Sequence, residues 1–441
     1  MQRTVHLLHR TALSTSSAGG HETLAALDTP CMDMSNSRTR GWRAPAGSTE
    51  LGRAGSGSVL YELWRGENLD VLEALRRRKG TYQLCYLDPP YNTRRPLEYH
   101  DSIGRKGSHT EWTSYLRDRL ELVCDLLSDD GLIAISIDSR ELAHLQILCD
   151  AIFGEENRLA NIVQRVKAPA GLAGGVLMDV VEYLLVYTKD RTTWSGRSLH
   201  HHEQLHTLGE YRRRLSDISA GETIHDHSGI VVREHGFTMA AVDDNVLRTG
   251  EIDGVFCTTN SQGVANLLRH VPQTGLHSVD HTPGRGVYAG QTRTRWFYNH
   301  RLVLWLDDVA TVVDGHVMRR VRESTLWDDH WYQGLGAEGG VSFRGGKKPI
   351  AMLQRLLGWF PSNISVLDPF AGSGSMIHAV AALNTSDGGT RRCSSITNDE
   401  NQICTHVAWP RVSGVLTGEL ADGRSAPPLT GTAVLRELDD L

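Results

Sequence analysis

Apolar and polar positions follow two rhythms along this chain, and both fade in the middle. Val59-Leu60-Tyr61-Glu62-Leu63-Trp64 reads as a strand ending at Gly66-Glu67-Asn68, and Leu69, Leu72 and Leu75 then share one helical face. Leu84-Cys85-Tyr86-Leu87 is a short apolar run, as a buried strand requires. After a polar loop to about Thr110, Trp112, Tyr115, Leu116, Leu120 and Val123 keep helix spacing. Ser128-Asp129-Asp130-Gly131 predicts a turn that closes that helix. Leu132 to Ile137 reads as a buried strand, Leu142 to Phe153 as a helix and Tyr183 to Tyr187 as another strand. From about 191 to 330 the periodicity gives way to short polar stretches of His, Arg, Gly and Thr. Alternation returns after 335, with a strand at Ile364 to Leu367 and a helix from Met376 to Leu383. Strands alternating with helices predict an α/β fold on a mainly parallel sheet, interrupted by an insert.

Composition narrows the class. The 441 residues suffice for one large domain with an insert, or for two domains. No apolar run approaches the ~20 residues that span a membrane, and the first residues lack the apolar stretch of a secretory signal. The seven cysteines are scattered and form no Cys-x-x-Cys pair, which fits reduced thiols in a cytoplasmic protein. Residues 1–56 are rich in Ser, Thr, Gly and Arg and are expected to be a disordered tail; a start codon assigned too early would explain them equally. A net charge of −6 excludes a uniformly basic nucleic-acid binder, so any DNA-binding face must be local.

Two turns carry candidate chemistry. Leu87-Asp88-Pro89-Pro90-Tyr91-Asn92 follows the apolar run at Leu84. Two prolines stiffen the backbone and push the residues before them towards extended geometry. Such a turn can present a carboxylate, a backbone carbonyl and a flat ring to one small planar group. That set suits the exocyclic amine of a nucleobase, with two acceptors for its two N–H donors and a ring to stack on. The second turn, Asp368-Pro369-Phe370-Ala371-Gly372-Ser373-Gly374, lies between a strand and a helix. Small residues there let the backbone approach a ligand, and a helix N-terminus adds a positive field. Many α/β proteins use such a turn only to pack a helix on a sheet.

Taken together and in this order, the two turns resemble those of S-adenosylmethionine-dependent DNA amino-methyltransferases. The Asp-Pro-Pro-Tyr turn precedes the Gly-rich turn, which is similar to the circularly permuted β class and to the modification subunits of type III restriction systems. Gly66-Glu67-Asn68-Leu69, Tyr99, Asp101, Trp112, Arg119, Leu120, Leu126 to Gly131, Ser136-Ile137-Asp138, Leu185 to Lys189, Glu338-Gly339-Gly340, Gly346 to Pro349 and Asn398 to Arg411 extend the likeness. It covers about 59–190 and 324–412.

The resemblance implies a permuted, seven-stranded Rossmann-like class I methyltransferase fold. Its catalytic half would be 57–190, its target-recognition insert 191–334, its methyl-donor half 335–412, and 413–441 an extension. It implies that Asp88 and the Pro89 carbonyl accept from the target amine, with Pro90 stiffening the turn and Tyr91 stacking on the flipped base. Asp368, Phe370, Ala371, Gly372 and Gly374 would cradle S-adenosyl-L-methionine. Glu67 would contact its adenosine part in place of the usual Asp. Lys348 and Pro349 would lie near its amino-acid end, and Glu400 or Asp399 would bind the ribose. The expected product is N6-methyladenine in double-stranded DNA. Cytosine N4 is the alternative, since both amines offer the same donors. A non-catalytic recognition subunit, or an enzyme acting on RNA or on protein glutamine, fits the intact Asp88 and Tyr91 less well. A separate restriction subunit and a homodimer are the protein partners the resemblance allows.

Weaker signals remain. Arg285, Arg293, Arg295, Trp296, Tyr298 and Arg301 interleave cations with aromatics, as phosphate contact and base stacking need; a solvated strand face over a core tryptophan is the plainer reading. His200-His201-His202 with His206, and His225-Asp226-His227, lack the second half of a metal motif and are expected to bind none. Arg76-Arg77-Arg78-Lys79 suits a helix C-terminus and could also touch phosphate.

Overall fold

The computed structural model describes residues 44–93, 108–167, 177–227, 229–285, 289–313, 315–329, 331–343 and 346–439. Residues Ser198–Glu323 form one compact unit; the described residues up to Arg197 and from Ser324 form another.

The larger unit is built on a ten-stranded sheet: β1 (Ser48–Ser56), β2 (Leu60–Arg65), β3 (Tyr82–Leu87), β4 (Leu127–Ile137), β5 (Arg158–Arg165), β6 (Val181–Thr188), β7 (Leu326–Trp327), β8 (Ser365–Asp368), β9 (Arg392–Thr397) and β10 (Gly431–Leu438). Across the sheet they run β1-β10-β2-β9-β8-β3-β4-β6-β5-β7. From β2 to β4 all neighbours are parallel, while β6 runs antiparallel to both β4 and β5. The seven strands from β2 to β5 form the permuted methyltransferase sheet expected from the sequence, with the strand before the Gly-rich turn late in the chain. Helices α1 (Asn68–Ala74), α2 (His109–Leu126), α3 (Leu142–Phe153), α4 (Ile350–Leu357), α5 (Ser375–Asp387) and α6 (Trp409–Thr417) belong to this unit. β3 is buried along its whole length, as a strand covered on both faces must be, and so it reads as a continuous apolar run. Trp64, Leu72, Tyr82, Trp112, Leu120, Ile133 and Leu185 meet in the core around it.

This topology brings the two candidate turns together. β8 pairs directly with β3, Leu367 opposite Cys85, so Asp88 and Asp368 emerge from the same edge of the sheet. The chain leaves β8 towards β9 and leaves β3 towards β4. The carboxyl ends of strands at such a switch point open a crevice.

Several expectations need correction. Ser48–Ser56, placed in the disordered tail, is strand β1, paired with β10 from Ser48↔Leu438 to Ser56↔Gly431. The rest of that expectation, 1–43, lies outside the described residues. The polar composition of β1 suits an edge strand, and its partner is at the far end of the chain. The stretch 413–441 is no appendage, because β10 lies between β1 and β2. Ser128–Gly131 is the start of β4, not a turn; the extra residues appear as a register shift against β3 between Tyr82 and Leu84. The insert is narrower than 191–334. Arg191–Trp194 packs its Trp194 indole N–H on the Asp130 carbonyl at 3.1 Å, and β7 pairs with β5, so both flanks belong to the sheet unit.

The Ser198–Glu323 unit holds an eight-stranded and a three-stranded sheet, antiparallel throughout. Its strands are four to seven residues long and range from exposed, as in Glu222–His227 and Thr238–Ala241, to mostly buried, as in Val255–Thr259 and Leu276–His281. Strands this short carry too few apolar positions to show a period.

Candidate active site

The Asp88–Asn92 turn is pinned from three sides. The Trp112 indole N–H donates to the Pro90 carbonyl at 2.7 Å. Asn92 sits in the left-handed region at φ 58°, which Asn tolerates better than most residues, and its amide donates to Glu141 Oε1 at 2.7 Å. The Tyr91 hydroxyl donates to Glu182 Oε2 at 3.1 Å. Burial pushes the Asp88 carboxyl up to about 6; Lys348 pulls it down and Glu182 adds to the rise. The Lys348 ammonium lies 3.3 Å from Asp88 Oδ1, 2.8 Å from Glu182 Oε2 and 2.7 Å from the Tyr91 hydroxyl. Burial works against its charge, but Asp88 and Glu182 outweigh that and hold it well above the usual lysine range. Lys348, expected near the donor's amino-acid end, therefore makes its polar contacts on the Asp-Pro-Pro-Tyr side.

The Gly-rich turn is built around two left-handed glycines, Gly372 (φ 48°) and Gly374 (φ 76°). A Cβ on Gly374 would meet Val412 at 3.1 Å, so its place is fixed by α6 packing as well as by φ. Burial raises the Asp368 carboxyl to about 8 although the Phe370 N–H donates to it at 3.2 Å. Arg411, wholly buried, donates to the Ser373 hydroxyl at 3.0 Å, to Ser375 at 2.7 Å and to Glu338 Oε2 at 3.1 Å. Burial lowers its guanidinium to about 10, against the pull of Glu338.

One cavity of about 270 Å³ joins the two turns. Glu67, Asp88, Pro90, Lys348, Asp368, Phe370, Ala371, Gly372 and Glu400 all stand on its wall; Pro89, Tyr91 and Gly374 do not. Between the two acids considered after β9, Glu400 lines the cavity. Asp399 instead accepts from the Thr405 N–H at 2.9 Å and hydroxyl at 2.6 Å. Glu67 accepts from the Asn398 amide at 3.3 Å, with the Arg119 guanidinium 4.0 Å away.

Sequence reasoning passed over several residues here. Asn68 donates to the Pro369 carbonyl at 3.0 Å and accepts from Arg119 at 2.5 Å, tying the end of β2 to the Gly-rich turn. Arg119 also lies 3.6 Å from the Tyr115 ring centroid, and Tyr115 lines the cavity. Glu182 and Glu338 were unassigned. Family-like wording around Asn68, Arg119 and Glu338 was the available signal for those three, and Glu182 had none.

The basic stripe divides. On Arg293–Tyr298, Arg293 and Arg295 share one strand face, while Trp296 and Tyr298 share the other. Tyr298 packs edge-on to Phe237 at 5.7 Å and Phe256 at 5.8 Å. It is thus part of an aromatic core of its unit, on the face away from Arg293 and Arg295, with Arg301 as its cross-strand partner and Arg213 over its ring at 5.4 Å. Arg285 is exposed beyond the strand. Arg78 is also unavailable to phosphate, because it is buried in a two-point ion pair with Glu62 (2.5 and 3.0 Å) and bonds the Tyr82 and Ser394 hydroxyls, both at 3.1 Å. His201 pairs with Glu203 and Glu323 at 2.8 and 3.3 Å, and the His225 ring meets that of His270 at 4.7 Å, tilted by 32°. Tyr99 and Asp101 lie outside the described residues.

The family model for DNA methylases matches residues 82–261. The type II methyltransferase M.KpnI of Klebsiella pneumoniae is 31% identical over 383 residues, which are 80% of this chain and 84% of that protein. The chain belongs to the DNA methylase family. It is therefore an S-adenosylmethionine-dependent DNA methyltransferase. The Mod subunit of the type III restriction-modification enzyme StyLTI, from Salmonella typhimurium, is 26% identical over 384 residues, 76% of this chain. The methyltransferase spans only 52% of that subunit's length. The solved M1.HpyAVI–SAM complex aligns with 80% of this chain and all of its own, at 11% identity and a TM-score of 0.35. Among the described residues no helix is long and apolar enough to cross a membrane.

Proposed function

We propose that this methyltransferase modifies the N6 amine of an adenine flipped out of a specific sequence in double-stranded DNA. One observation carries the reading: the Asp88 turn and the Gly-rich turn open into the same cavity. The wall suits the methyl donor. Phe370, Met376, Ile396 and Ile403 offer an apolar bed for a base ring, and Glu67 and Glu400 offer carboxylates for hydroxyls. Ala371 to Gly374 would hold the donor at a backbone without bulky side chains. S-adenosylmethionine supplies an activated methyl on a positively charged sulfur.

The chain's own residues prepare the acceptor. The amine's lone pair is delocalised into its ring. Hydrogen bonds from its two N–H groups to the Asp88 carboxylate and the Pro89 carbonyl favour pyramidal nitrogen and free that pair. Asp88 is mostly ionised at neutral pH with its carboxyl at about 6, so it accepts before transfer and is placed to take the proton the nitrogen sheds afterwards. Tyr91 would stack on the base; stacking of ~1–3 kcal/mol offsets much of the few kcal/mol that flipping costs. Positioning and electrostatics supply the remaining rate. Arg285, Arg293 and Arg295 would contact phosphate.

The test is to incubate the protein with labelled donor and duplex DNA, digest to nucleosides and identify the product. N6-methyladenine is expected, with none from Asp88→Ala; N4-methylcytosine would overturn the base assignment. Relatives named Mod subunits support a cytoplasmic restriction-modification setting, with a separate restriction subunit and a homodimer as partners. Co-purification from the source cell tests the first and light scattering the second.

A further inference from the structure

We propose that His109, Glu141 and His144 form a site for a borderline transition-metal cation such as Zn²⁺, behind the catalytic turn and outside the transfer chemistry. The three come from two helices: His109 opens α2, and Glu141 and His144 lie one turn apart at the start of α3. One donor atom from each falls within 4.8 Å of the others. His109 Nδ1 is 2.8 Å from Glu141 Oε1, and the two imidazole rings stack at 4.4 Å.

The second observation is the state of Glu141. Its residue is 1% exposed. Oε1 is shared by the Asn92 amide and His109, whereas the buried Oε2 has no hydrogen-bond partner among the described residues. A buried carboxylate oxygen left unpaired is costly, and a bound cation would satisfy it. Two imidazoles and one carboxylate favour Zn²⁺, Co²⁺ or Ni²⁺ over Mg²⁺ or Ca²⁺, which prefer all-oxygen shells. Donors about 2.0–2.2 Å from zinc must close in on one another, and the exposed His109 ring is at the surface, with room to turn. The other Glu141 oxygen holds Asn92, next to Tyr91. A bound ion would therefore fasten the starts of α2 and α3 around the turn.

The test is equilibrium dialysis of the chelator-stripped full chain against micromolar ZnCl₂, with metal counted by mass spectrometry. Wild type, His144→Ala and Glu141→Gln carry the same histidine clusters elsewhere, so adventitious binding is common to all three. One equivalent more in the wild type than in either variant, with at least tenfold weaker residual affinity in the variants, is the expected result. Equal zinc in the wild type and either variant, or no stoichiometric zinc in the wild type, would overturn the site and leave a hydrogen-bonded clamp. If Glu141→Gln fails to fold, His109→Ala takes its place. Co²⁺ provides a second readout: its visible ligand-field absorption should appear in the wild type and vanish in His144→Ala.

Discussion

Asp88 sits between two neighbours that move its acidity in opposite directions. Burial raises its carboxyl from 3.8 to about 6, Lys348 lowers it and Glu182 raises it. If the ionised form accepts from the target amine, kcat/KM should fall on the acid side with an apparent pKa near 6. Removing the lysine charge in Lys348→Met should move that limb to higher pH. Removing the carboxylate in Glu182→Gln should move it lower. Shifts of the same sign in both variants would show that the limb reports another group. The effect on stability has its own sign. A carboxyl whose folded pKa lies above its unfolded value binds the proton more tightly when folded. Its contribution is thus fully present below about 4 and is lost as pH rises through about 6. The acid limb of activity therefore coincides with a range in which this residue favours the fold, and a loss of rate at pH 5.5 is not evidence of unfolding at Asp88.

At the scale of elements, the Gly-rich turn depends on a residue that the turn's own sequence does not contain. Arg411 from α6 reaches Ser373, Ser375 and Glu338 while completely buried. Arg411→Met keeps much of the volume but strands Glu338 and two hydroxyls. It should cost about 3 kcal/mol in a urea titration and weaken donor binding in calorimetry. Unchanged donor affinity would mean that α5 alone holds the turn. β10 offers a second case. Deleting 431–441 would be harmless if that stretch were an appended tail. Because β10 is hydrogen-bonded on both sides, to β1 and β2, the truncated chain should fail to accumulate as soluble, cooperatively melting protein. These elements also show what sequence could reveal. β3, β8 and the helices between parallel strands were legible because both faces of the sheet are covered, which leaves continuous apolar runs and helical stripes. Asp88, Asp368 and Gly372 stand out in the sequence because their motifs are local, and all three line the cavity, whereas Glu400 rests on the resemblance alone, which left Asp399 open beside it. β1 was not legible, since an edge strand tolerates polar residues and its partner is far along the chain. Asn68, Glu182 and Arg411 were not either, since each acts across contacts that only the folded sheet creates.

At the scale of the molecule, a net charge of −6 must be reconciled with a polyanionic substrate. A local basic face would do this, and on Arg293–Tyr298 the arginines and the aromatics take opposite faces of the strand. Arg293 and Arg295 lie on one face of the strand, and Trp296 and Tyr298 pack on the other. If the arginines neutralise phosphates, the double variant Arg293→Ala/Arg295→Ala should bind duplex DNA more weakly on every sequence. The slope of log K against log salt should fall in magnitude by up to about 0.9 for each lost contact. Donor binding should be unaffected, since every residue of its cavity lies in the sheet unit. Tyr298→Ala should behave differently. It removes a ring packed against Phe237 and Phe256, so it should lower stability by about 2–4 kcal/mol and leave the salt slope of the folded fraction unchanged. Weaker DNA binding by folded Tyr298→Ala, with unchanged melting, would reverse the assignment, making the tyrosine a stacking contact to DNA. An unchanged slope in the double arginine variant would move the phosphate-binding face away from this strand altogether.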